Sequence, residues 1–129
     1  MPEKRLYDTR FFVEYFYSGD PEALRELKQE LRSVKERMVS SLTVHEIHRI
    51  NLKREGKDVA DLRSNAIRED FRIIDVNYKL AVKSAELRNT HQIPMADSVI
   101  AVTAQVNQCP LFTDDTHFKK IENLKTVWR

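Results

Sequence analysis

The stretch IPMADSVIAV, Ile93 to Val102, sets one carboxylate, Asp97, inside an otherwise apolar run. Apart from Ser98, its neighbours are hydrophobic, small or proline. Pro94 suits the start of a helix. The overlapping AVTAQV predicts that this helix is buried on several sides. An ionised carboxylate is costly to bury without a compensating partner. What Asp97 faces therefore decides both the fold and the chemistry.

Working outward towards the C-terminus, PLFT reads as a short strand, followed by a short helix around His117 to Ile121. KTVW reads as a last strand. Towards the N-terminus, KRLYD is a short strand ending in Asp8. The helix TRFFVEYFY follows, and Gly19 is expected to close it in the left-handed conformation. Asp20 caps the next helix, with Pro21 and Glu22 in its first turn and Leu24, Leu27, Leu31 and Val34 on one face. RMVSS is a strand. Thr43 with Glu46 has the spacing of a capping box, and Val44, Ile47 and Ile50 form the inner stripe of a helix ended by Gly56. Asp58 with Asp61 opens a helix through about Asp70. FRIID is a strand, and the next helix carries Leu80, Ala81, Ala85 and Leu87. Short strands alternating with helices predict an α/β fold with a largely parallel sheet. No repeat or linker interrupts the chain, so residues 1–129 form one domain.

The composition agrees. Hydrophobic residues make up 41% and charged residues 33%, as in a soluble globular protein. No apolar run approaches the roughly 20 residues that span a bilayer. The opening MPEKRLYDTRFF lacks the order of a signal peptide, so a cytoplasmic location is expected. A single cysteine, Cys109, excludes an intrachain disulfide and a multi-cysteine zinc site, and is expected as a small core residue. The net charge of +2 gives little support for a polyanion partner.

In parallel sheets, ligands bind beyond the carboxyl ends of the strands. Asp8, Glu46, Asp97, Asp114 and Asp115 all follow predicted strands or begin predicted helices, so the topology gathers them at one edge. Such a cluster repels itself unless cations compensate it. Hard oxygen ligands suit Mg2+ or Mn2+. The competing reading makes each acid a helix cap.

YDT, SSLTVHE, MADSVIA and LFTDDTHF occur in that order, and together they resemble the PIN-domain family, more closely its small VapC-type toxins. The resemblance runs from Leu6 to about Val127 and implies a single PIN-like nuclease domain with a parallel sheet of about five strands. It implies a Mg2+- or Mn2+-dependent ribonuclease, the toxin of a toxin–antitoxin pair, cleaving RNA phosphodiesters with a metal-activated water. Asp8, Glu46, Asp97 and Asp115 match the family's acids. Asp8, Asp97 and Asp115 would hold the metal, and Glu46 would complete the shell or act as base. Thr9 and Thr113 match supporting hydroxyls, and Asp114 fills a variable slot, able to bind metal through water. Two positions depart from the pattern. Arg10 replaces a small polar residue, either offsetting the acids or meeting a phosphate. Asn107 replaces a helix-ending glycine, although Asn tolerates the left-handed conformation. The expected partners are RNA, an antitoxin protein and a second copy of the chain, with no membrane.

Arg49, Lys53, Lys119 and Lys120 are candidate phosphate contacts, and His117 a candidate substrate contact. His45 and His48 lie three apart, not the four of His-Glu-x-x-His, so they do not form that zinc motif. Phe11, Phe12, Tyr15, Phe16 and Tyr17 are more aromatics than one helix buries inward, leaving part of the run for a second copy or an antitoxin segment. The alternatives are a PIN nuclease of RNA processing or decay and a degenerate, non-catalytic PIN module. A phosphoacceptor domain needs its central Asp after a mid-chain strand, where EIHRINLKREGKD is helical instead.

Overall fold

Short apolar runs buried on both faces towards their carboxyl ends set the central strands, and the polar residues between them start and stop the helices. The computed structural model describes residues 3–128. The elements are β1 (Lys4–Tyr7), α1 (Thr9–Tyr17), α2 (Pro21–Ser33), β2 (Glu36–Ser40), α3 (Ser41–Glu55), α4 (Lys57–Asp70), β3 (Arg72–Ile74), α5 (Tyr78–Thr90), α6 (Met95–Val106), β4 (Leu111–Phe112), a 3-10 turn (Thr116–Lys120) and β5 (Thr126–Val127). The sheet has five strands in the order β3-β2-β1-β4-β5, and every pair is parallel. The α/β class and the parallel sheet read from the sequence are both present.

Successive strand residues point to opposite faces. Leu6, Met38 and Leu111 pack with Ile100, Ala101 and Ala104 of α6 and with Phe118. Tyr7, Val39 and Phe112 pack on the other face with Phe11, Phe12, Leu27, Ile47, Ile67 and Phe71. Helices thus cover both faces, as an all-parallel sheet requires. Each fully buried large apolar side chain contributes roughly 1.5–3 kcal/mol. Residues 98–104 of α6 are all buried, the pattern that the apolar run predicts. Below the sheet's central strand, Glu30 of α2 accepts from Arg5 at 2.6 Å and from the Tyr7 hydroxyl at 2.9 Å, tying α2 to β1. Burial, reinforced by the charge of Glu30, raises the Tyr7 phenol well above its ordinary pKa and keeps it a donor.

Several local expectations are corrected. The cap of α3 is Ser40, whose hydroxyl accepts from the Leu42 N–H at 3.1 Å, and not Thr43, which is buried inside the helix. The strand ends in Ser40, so the first available hydroxyl starts the helix and the capping-box spacing goes unused. Glu46 consequently lies in the second turn. Ser18, in extended conformation, ends α1, and Gly19 is not left-handed. Gly56, at φ 89°, is the glycine with positive φ: it ends α3 and opens α4 without a side-chain cap, a one-residue joint between the two helices. Asp58 stands in the first turn of α4, and Asp61 pairs with Lys57 at 2.5 Å. Asn107 has φ −88°, and the left-handed residue after α6 is Gln108. No helix among the described residues is long and apolar enough to cross a membrane.

From β1 the sheet grows one way through β2 and β3, and the other way through β4 and β5. Crossovers leaving β1 and β4 therefore diverge, opening a crevice beyond their carboxyl ends.

Candidate active site

Asp8 is the first residue past β1 and caps α1. Its Oδ1 accepts the Thr9 N–H at 2.6 Å, and its Oδ2 accepts the Thr113 hydroxyl, also at 2.6 Å. Thr113 directly follows β4, so this bond spans the crevice between β1 and β4. Asp8 is 4% exposed. Burial pushes its carboxyl up to about 6. The bonds from Thr113 and Thr9 oppose that rise, and the charges of Asp97 and Asp115 add to it.

Glu46 reaches the same edge from α3 and accepts the Thr9 hydroxyl at 2.7 Å. The Thr9 hydroxyl also lies 3.4 Å from that of Thr43. Asp97 stands in the first turn of α6, half-buried. Burial raises its pKa first, then the charge of Asp115, while His117 lowers it and Glu46 raises it. Asp115 caps the 3-10 turn, its Oδ1 accepting the His117 N–H at 2.9 Å, and its own N–H donates to Thr113 Oγ1 at 3.1 Å. Thr113 thus links Asp8 and Asp115 through one hydroxyl. Asp8 feels the charges of Asp97 and Asp115, and Asp97 those of Asp115 and Glu46, so acids from the ends of β1 and β4, from α3 and from α6 act on one another at this edge.

This arrangement fits a hard divalent cation. Like charges gather at an edge of low exposure, and carboxylate oxygens are the ligands that Mg2+ and Mn2+ favour. Asp97, Asp115 and His117 each offer one ligand atom, all within 4.8 Å of one another.

Asp8, Glu46 and Asp114 are not in that group of three. Arg10 Nε and Nη2 bind the two carboxylate oxygens of Asp114, the latter at 3.2 Å, on an exposed flank of the site. Arg10 also feels the charges of Asp115 and Asp8. Arg49, Lys53, Lys119 and Lys120 are exposed. His48 turns to α4, with Nδ1 2.7 Å from Ser64 Oγ. Cys109 is buried, and burial pushes its thiol up to about 11, consistent with a core residue.

The aromatic run of α1 is largely covered by the chain itself. Phe11 and Phe12 are core residues. The Tyr17 hydroxyl donates to Asn51 Oδ1 at 2.6 Å, and the Arg63 guanidinium lies 4.8 Å from the Phe16 ring centre. Exposed apolar side chains stand elsewhere, at Val76, Tyr78, Val82 and Met95. A groove of about 630 Å³ between α5 and α6 opens beside them, but none of the four acids lines it. Sequence reading missed Thr43 as a neighbour of Thr9 and the double bonding of Thr113. The only sequence signal for either was a hydroxyl residue close to an acid.

A parallel α/β domain with acids at its switch point is one broad class, and comparison narrows it. A profile of the PIN domain matches residues 5–124. The chain belongs to the PIN domain family. Comparison with curated proteins gives no significant match. Among solved structures, the chain is similar to a toxin–antitoxin complex from Klebsiella pneumoniae, at 27% identity and TM-score 0.76 over 95% of this chain and 96% of that one. It is similar in fold to VapBC2 from Rickettsia felis bound to a DNA fragment from their promoter, at 20% identity and TM-score 0.80 over 98% of each chain. It is also similar in fold to Mycobacterium tuberculosis VapC20, a sarcin–ricin loop cleaving toxin, at 18% identity and TM-score 0.76 over 94% of this chain and 98% of that one.

Proposed function

We propose that this PIN domain is a metal-dependent ribonuclease and the toxin of a toxin–antitoxin pair. The observation that carries the reading is the gathering of Asp8, Glu46, Asp97 and Asp115 around the β1–β4 crevice. Similarity to solved toxin–antitoxin structures supports the antitoxin partner.

In this proposal Asp8, Asp97 and Asp115 hold Mg2+ or Mn2+. When bound, the ion supplies positive charge that acidifies water and stabilises the developing charge on the phosphate. Glu46 completes the shell or accepts the proton of the attacking water. The Thr9 hydroxyl fixes its carboxylate, and the Thr113 hydroxyl fixes that of Asp8. The exposed cations Arg49, Lys53, Lys119 and Lys120 hold the RNA backbone.

The test is cleavage of a defined RNA by the purified chain. EDTA is expected to stop cleavage, and Mg2+ or Mn2+ to restore it. Cleavage indifferent to EDTA overturns the reading. A co-purifying small protein that suppresses cleavage favours the toxin over a processing nuclease.

Thr9 is a positioning residue here. Thr9→Val is expected to lower kcat about tenfold, the scale of one hydrogen bond to a charged group, with KM unchanged. A change confined to KM would assign Thr9 to RNA binding. The proposal also includes a homodimer. Light scattering at micromolar concentration is expected to give twice the 15.2 kDa of one chain, and the mass of a single chain would remove the dimer.

A further inference from the structure

We propose that His117 is a nitrogen ligand of the same metal centre, acting through Nδ1 beside Asp97 and Asp115 and favouring Mn2+ over Mg2+. This inference rests on the metal-dependent reading above, and it adds a ligand that an all-carboxylate set lacks.

Geometry carries it. His117 Nδ1 lies 3.3 Å from Asp115 Oδ1. Ligand atoms about 2.1 Å from a six-coordinate ion stand about 3.0 Å apart when adjacent and about 4.2 Å apart when opposite. Without metal the two atoms form an ion pair, and their 3.3 Å separation is close to the adjacent spacing, so an ion can replace the direct contact. Asp97, Asp115 and His117 offer ligand atoms within 4.8 Å of one another, somewhat wider than the span of one ion, so the side chains draw in to share it.

The imidazole is also held at its base. The His117 N–H donates to the Asp115 cap, and the next residue, Phe118, is fully buried against the sheet. The 3-10 turn therefore presents the ring from a rigid anchor, while the ring itself, 66% exposed, keeps the freedom to close on an ion. Chemistry sets the metal preference. Imidazole nitrogen suits first-row transition ions, whereas Mg2+ takes oxygen.

The test is direct. Mn2+ is added to metal-free wild type, His117→Ala and Asp97→Asn, and affinity is read by titration calorimetry. Pulsed EPR of the Mn2+-loaded proteins reads coupling to a directly bound imidazole nitrogen. Mg2+ affinity is measured in parallel. The wild type is expected to show the nitrogen coupling. His117→Ala is expected to lose the coupling and to bind Mn2+ at least about tenfold more weakly, with Mg2+ affinity changed less than about twofold. His117 is exposed, so the variant keeps the fold, which a thermal melt checks.

Mn2+ binding without nitrogen coupling, unchanged in His117→Ala but lost in Asp97→Asn, overturns the histidine ligand and leaves the acidic site standing. Absence of Mn2+ binding in the wild type overturns both.

Discussion

Asp97→Asn is expected to reduce metal-dependent RNA cleavage about a thousandfold, a loss of roughly 4 kcal/mol of transition-state stabilisation. Asn has the shape of Asp but not its charge. The first turn of α6 is retained, since the cap of that helix is Pro94 and no side-chain bond from Asp97 holds it. What disappears is one carboxylate of the group whose mutual repulsion calls for a cation. Burial already disfavours the charge of Asp97, and Asp115 and Glu46 disfavour it further. The variant is therefore expected to melt at the same temperature as the metal-free wild type or higher. Cleavage rates and a thermal melt check both statements. Activity above a tenth of wild type would remove Asp97 from the machinery.

The second large effect concerns Asp8 and stability. Its carboxyl sits at about 6 in the fold, against an ordinary 3.8, with burial the main cause. Between those two pH values the folded chain holds a proton that the unfolded chain has released. Stability from this group is thus greatest at low pH, falls as pH rises from about 4 to about 6, and stays reduced above that. The cost at neutral pH is at most about 3 kcal/mol. Asp8→Asn removes the charge but gives up one of the two accepted hydrogen bonds, from Thr9 N–H or from Thr113. In EDTA at pH 7 the variant is expected to be more stable than wild type by about 1–2 kcal/mol, and this advantage is expected to vanish near pH 4. Mg2+ or Mn2+ should then stabilise the wild type but not the variant. Urea unfolding at both pH values measures this. A difference between the two proteins that is constant with pH would show that Asp8 does not carry the buried charge.

Much of the candidate site was legible because its residues break a pattern. Asp8 ends an apolar strand, and Asp97 interrupts a run that has no other reason to hold a charge. The parallel sheet followed from the alternation of short strands and helices, and the switch-point rule then brought distant acids together. Local details were less legible where several residues compete for one task. SSLTVHE offers Ser40, Ser41 and Thr43 as caps, and only the end of β2 selects Ser40. Gly19 suits a left-handed turn by type, but Ser18 ends the helix in extended backbone and the glycine's freedom goes unused. The aromatic surplus of α1 could not be judged without Arg63 and Asn51, which come from α4 and α3 and cover its rings and hydroxyl. His117 stood near the acids in sequence, yet only the 3-10 turn brings its ring back beside Asp115.

The most direct test of the central claim is anomalous diffraction from crystals of the chain grown or soaked with Mn2+. A peak is expected in the β1–β4 crevice, about 2.1–2.3 Å from carboxylate oxygens of Asp97 and Asp115 and joined by Asp8 directly or through water. Mn2+ bound elsewhere, with the crevice acids holding none at saturating concentration, would contradict the account.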